Sequence, residues 1–168
     1  MNTETVDEIE PDLELLSSIF SRLYSDDISK TYFGDVNFER LKDFGVIYYM
    51  TMYSGIEVED FSGRRYLMPA LGPVPVDQAT KDKTVKQMYP KFESDLKDNI
   101  LEYGRTLKSL KDDEVLVFQV TNARCAGCSI PSTLEISLKG SALKDYSSGK
   151  TDKASTMSKF SVKKGGNQ

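Results

Sequence analysis

A chain of 168 residues, 39% apolar and 29% charged, is long enough for one compact domain that removes most of its apolar surface from water, and short for two. Its net charge of −4 and pI near 5.0 repel a phosphate backbone at long range, and no lysine or arginine stripe with interleaved aromatics offsets this, so nucleic acid is not an expected partner. The absence of histidine excludes, within one chain, a Ser-His-Asp or Cys-His catalytic pair, an H-E-x-x-H zinc site and the C2H2 and Cys3His metal sites.

No apolar run approaches the roughly 20 residues needed to cross a bilayer. The opening MNTETVDEIEPD is acidic where a signal peptide is basic and then apolar, so the chain is expected to be soluble and to carry no export signal as written. An acidic, Thr-rich start is also how mature exported proteins begin, which leaves a periplasmic or secreted location open beside a cytoplasmic one.

Residues 1–10 read as a polar, flexible lead-in, 11–164 as one domain and 165–168 as a tail. Pro11 suits a first helical position, and Leu13, Leu16, Ile19, Phe20 and Leu23 follow at helical spacing. SDDISKTYFGD reads as turn and loop, and NFERLKDFG as a short helix or strand capped by Gly45. Val46 to Tyr53, β-branched and aromatic, reads as a strand, and Arg64 to Leu71, beyond the polar loop SGIEVEDFSG, as its antiparallel partner ending at Pro69. GPVPV forms a stiff extended connector. A long helix capped by Asp77 or Thr80 then carries Val85, Met88, Tyr89, Phe92, Leu96, Ile100 and Tyr103 on one stripe, with a kink or restart expected at Pro90 and a stop at Gly104.

Val115 to Thr121 is an unbroken apolar run, as in a central strand covered on both faces, and TLEISLKG alternates as a strand with one wet face. Ser141 reads as the N-cap of a short helix, and KFSVKKGGNQ as an edge strand and tail. The many lysines from Lys139 onward read as a solvated face. The order of elements gives an α+β fold, a two-layer sandwich with an antiparallel sheet of four or five strands and the long helix packed on one face.

Between the last two long strands lies RCAGCSIP, which holds the only cysteines, Cys125 and Cys128, at C-x-x-C spacing. Redox catalysis needs a thiolate stabilised by a helix N-terminus or a cation; Arg124 offers the cation, but Ile130, Pro131 and Ser132 lead straight into a strand rather than a helix. A structural zinc site lacks two further cysteines or histidines, so only carboxylates or a second chain could complete it. A local disulfide clasp and a reduced ordinary loop are the remaining readings.

Asp26 with Asp27, Asp112 with Asp113, and Glu57 with Glu59 read as solvated turns rather than acid/base pairs. Tyr48, Tyr49, Tyr53 and Tyr66 read as half-buried packing on strands, with a ligand surface formed by Tyr48, Tyr53 and Tyr66 as the sharper alternative. KKGG and LKGS lack phosphate-loop spacing, and no metal or other cofactor is expected.

LEYGRTLKSLKDDEVLVFQV and LEISLKGSALKDYSSGK resemble segments of uncharacterised bacterial exported proteins over about Tyr89 to Lys150. The resemblance implies an exported location and with it the disulfide clasp over free thiols, and brings no activity or site residue. The expected function is a non-enzymatic accessory or interaction domain of an exported bacterial protein, binding another protein or an envelope component. The alternative is a thiol-disulfide redox protein using Cys125 and Cys128.

Overall fold

The structure, a computed structural model, describes residues 10–25, 36–52, 57–59, 61–63, 65–67, 74–75, 78–122, 124–125 and 127–168. In chain order the elements are α1 (Pro11–Ser25), β1 (Asn37–Leu41), β2 (Gly45–Thr51), β3 (Glu57–Glu59), β4 (Arg65–Leu67), β5 (Val74–Pro75), α2 (Gln78–Gly104), β6 (Val115–Thr121), β7 (Thr133–Lys139), α3 (Gly140–Ser147), α4 (Lys153–Met157) and β8 (Ser161–Lys164). β1, β2, β6, β7 and β8 form a five-stranded sheet in that order, and β3, β4 and β5 form a separate three-stranded one. The fold is α+β, with five strands where four or five were expected; the β1–β2, β6–β7 and β7–β8 pairings are antiparallel as expected, while β2 and β6 run parallel.

That parallel pair corrects the expected partner of β2. Arg65–Leu67 pairs with β3 and β5 instead, and Glu57–Glu59, expected in a loop, is a strand. Apolar, β-branched character marks a strand but carries no information on which strand lies beside it, and Val46 to Thr51 finds a longer match in the apolar run of β6. Ser141 is likewise not a cap. Lys139 holds that position with no side-chain bond, and Ser141 lies inside α3.

Alternation along the strands sorts one face of the sheet into the core. Phe38, Tyr48, Phe118, Ile136 and Val162 make one row across all five strands, flanked by the row Val46, Leu116, Leu138 and the row Met50, Val120, Leu134. Helices cover this face. α1 supplies Leu13, Leu16, Phe20 and Tyr24, and α2 supplies Val85, Tyr89, Phe92, Leu96 and Ile100, all buried. The aromatic centre is tight: Tyr48 stacks on Phe118 with ring centroids 5.0 Å apart, Phe20 lies 4.6 Å from Phe118, and Tyr24 meets Phe92 edge-on at 5.7 Å. α2 runs as one helix through Pro90, where a kink or restart was expected, with Pro90 on its exposed side.

Two carboxylates lock the end of the sheet where α1 starts. Asp12 accepts bonds from the backbone amides of Lys108 (2.7 Å) and Ser109 (2.8 Å) and from the Ser109 hydroxyl, tying α1 to the segment after α2. Buried Glu114 accepts two bonds from Arg40, at 3.0 and 2.9 Å, and one from the Lys111 amide at 2.8 Å. In both, burial pushes the carboxyl up, but the hydrogen bonds from Ser109 and Lys108 to Asp12, and from Lys111 and Arg40 to Glu114, outweigh it, so each sits below its ordinary 3.8 and 4.5. Because the folded values are the lower ones, the stabilisation is present above the unfolded values and is lost as pH falls through the folded ones. Urea midpoints are therefore expected to drop steadily from about pH 5 downward, and Asp12→Asn and Glu114→Gln are each expected to flatten part of that drop while lowering stability at neutral pH.

Gly45 opens β2 at φ +143, and a side chain there would run into the Val115 backbone. Gly45→Ala is expected to cost about 3 kcal/mol, against about 1 kcal/mol for Gly149→Ala, where φ is also positive but the space is open. Chemical denaturation of the two variants checks the difference.

Candidate functional site

β6 ends at Thr121, and the chain returns in β7 at Thr133 through the cysteine loop. Asn122 closes the neck: its amide donates to the Ser132 carbonyl and its side-chain Nδ2 to the Pro131 carbonyl, each at 2.9 Å. Within the loop the Cys128 amide donates to the Cys125 carbonyl at 3.2 Å, and Gly127 (φ 76) and Ser129 (φ 58) take the left-handed conformation that reverses the chain. Cys125 and Cys128, with Cα atoms 5.5 Å apart, are joined as a disulfide.

The bridge is turned inward. Cys125 is 0% and Cys128 5% exposed, and both sulfurs lie 3.4 Å from the backbone carbonyl oxygen of Asp82 in the early turns of α2. The Asp82 carboxylate and the two sulfurs fall within 4.8 Å of one another. A thiolate nucleophile is made by amide N–H groups or cations that stabilise its charge. A carbonyl dipole and a carboxylate do the opposite, so these surroundings do not favour an attacking thiolate.

The loop's outer rim holds the end of the chain. After β8, the Gly165 amide donates to Thr133 (2.9 Å), the Ser132 amide to Gly166 (2.8 Å), the Gln168 amide to Ile130 (2.9 Å) and the Ser129 amide to Gln168 (3.2 Å). The Gln168 side-chain Oε1 accepts from the Cys125 amide at 3.1 Å, and Pro131 bridges to Asn167. Residues expected as a tail thus extend the β7–β8 ladder up to the disulfide.

Tyr48 does not line a ligand surface. It is fully buried, its hydroxyl donates to the Leu13 carbonyl at 2.9 Å, and burial, with the Asp12 charge, pushes the phenol well up. A strand position is equally compatible with either face, and the register of β2 puts Tyr48 inward and Tyr49 outward. Tyr66 lies in β4, and Tyr53, like Asp26 and Asp27, lies outside the described residues. Asp112 is exposed in the turn before β6 and pairs with Lys144 at 2.6 Å.

Sequence reading named the cysteines but not Asp82, Asn122 or Gln168. Asn directly after an apolar strand is a turn signal that points to Asn122; Asp82 and Gln168, 43 residues from Cys125 on either side, carry none. At the opposite end of the sheet, a cavity of about 460 Å³ is lined by Ser137, Lys139, Ser141, Asp145, Lys159 and Ser161, with Asp145 offsetting part of its positive charge. The chain matches no family model, no curated protein and no solved structure.

Asn122→Ala is expected to leave the Pro131 carbonyl without its side-chain donor and to cost about 1–2 kcal/mol. Amide hydrogen exchange should then quicken at Ser132, Gly165 and Gln168, with the middle of β6 unaffected.

Proposed function

We propose that the chain is a non-enzymatic accessory or interaction domain of an exported protein, and that Cys125–Cys128 is its structural clasp. The observation that carries this reading is the direction of the disulfide: buried, facing the Asp82 carbonyl, with the C-terminal residues hydrogen-bonded along the rim of its loop. A redox-active pair works by offering one sulfur to an incoming protein, whereas this pair is enclosed between α2 and the tail. A bridge over so short a stretch removes little chain entropy, so its contribution is to fix the turn onto which residues 165–168 dock. An oxidising compartment preserves such a bond, which is the physical link between the clasp and export. The partner on this reading is another protein or an envelope component, met through the exterior of the sandwich.

Thiol counting on native and unfolded protein across a glutathione redox series separates the clasp from the redox protein. The clasp predicts no titrable thiol in the native state through the glutathione range and two after unfolding in reductant. A reversible couple at thioredoxin-like potential, with one cysteine alkylated much faster than the other, would sink the clasp and make the chain an oxidoreductase.

A further inference from the structure

The features that disfavour an attacking thiolate at this loop favour a cation. Two sulfurs, a carboxylate oxygen and a helix carbonyl oxygen converge on one small volume, the sulfurs and the carboxylate within 4.8 Å of one another and each sulfur 3.4 Å from the carbonyl. A tetrahedral zinc with Zn–S bonds of about 2.3 Å and Zn–O bonds of about 2.1 Å sets sulfur and oxygen about 3.6 Å apart, near the 3.4 Å between each sulfur and the Asp82 carbonyl oxygen; once reduction breaks the S–S bond, the two sulfurs must part to span the metal. The site is also held from outside: Asn122 fixes the loop's neck, the Cys128 amide closes its turn, and α2 supplies Asp82 from a packed helix.

We propose that Cys125, Cys128 and Asp82 form a site for a thiophilic divalent cation, zinc by its preference for this donor set, when the cysteines are reduced. Disulfide and metal are alternative closures of one loop. A dithiol reductant supplies two electrons and two protons to the disulfide, giving two thiols and becoming a disulfide itself; the cation then displaces both thiol protons and is held by two thiolates and the Asp82 carboxylate. The Asp82 carbonyl or a water takes the fourth position. This goes beyond the clasp reading: it assigns a role to Asp82 and gives the loop a closure that survives in a reducing environment.

Cadmium or zinc titration of the purified chain, reduced under anaerobic conditions and competed against a chromophoric chelator, tests the site. The expected result is one cation bound per reduced chain, with thiolate-to-cadmium charge-transfer absorption, none bound by the oxidised chain, and affinity lowered about tenfold or more in Asp82→Asn. Thermal melting of the oxidised Asp82→Asn protein shows whether the variant is folded, and if it is not, the cadmium spectrum of the reduced parent decides alone. Absence of stoichiometric binding by the reduced parent, or equal affinity in a folded Asp82→Asn, overturns the proposal while leaving the oxidised clasp standing.

Discussion

Parallel strands cannot be joined by a turn, and the pairing of β2 with β6 is the constraint from which the rest of the molecule follows. Leaving β2 at Thr51 and re-entering β6 at Val115 obliges the chain to travel back the full length of the sheet, and α2 makes that return across the core face. The helix therefore starts at the end of the sheet where β6 finishes. Because β7 and β8 each reverse direction, β8 also finishes there. Three segments distant in sequence, the early turns of α2, the cysteine loop and the last residues, are brought together by strand direction alone.

The far end of the sheet is organised by the opposite kind of contact. There the start of α1, the segment leaving α2 and the entry to β6 are joined by ionised carboxylates, Asp12 and Glu114, each saturated by amide, hydroxyl or guanidinium donors. Between the two ends runs the aromatic row centred on Tyr48 and Phe118. The sandwich is thus apolar in its middle, ionic at one end and closed by sulfur at the other.

How much of this could be read from residues alone depended on range. α1, α2 and β7 declare themselves through periods of 3.6 and 2, and β6 through its continuous apolar run, because the apolar surface each must bury is written into its own few residues. Pairing does not declare itself: β2 carries the same pattern whether its neighbour is Arg65–Leu67 or Val115–Thr121, so the choice rests on loop lengths and core volume that no local window contains. Tyr48 shows the same limit at the scale of one side chain, since one step of register separates this fully buried ring from exposed Tyr49. At the loop, spacing named the two cysteines, but what they face is set by the crossover, and Asp82 became visible only in three dimensions.

β8 is a sheet edge, and its composition bears on how the molecule behaves among its own copies. Among the described residues it pairs only with β7, leaving the amides and carbonyls of its outer side as a template onto which a foreign strand could zip. The strand is four residues long, and Lys163 and Lys164 are both substantially exposed, each pairing with a glutamate, Glu135 or Glu93, within the same chain. Short length and lysine side chains are features that disfavour the addition of a further strand at a sheet edge, and β8 has both.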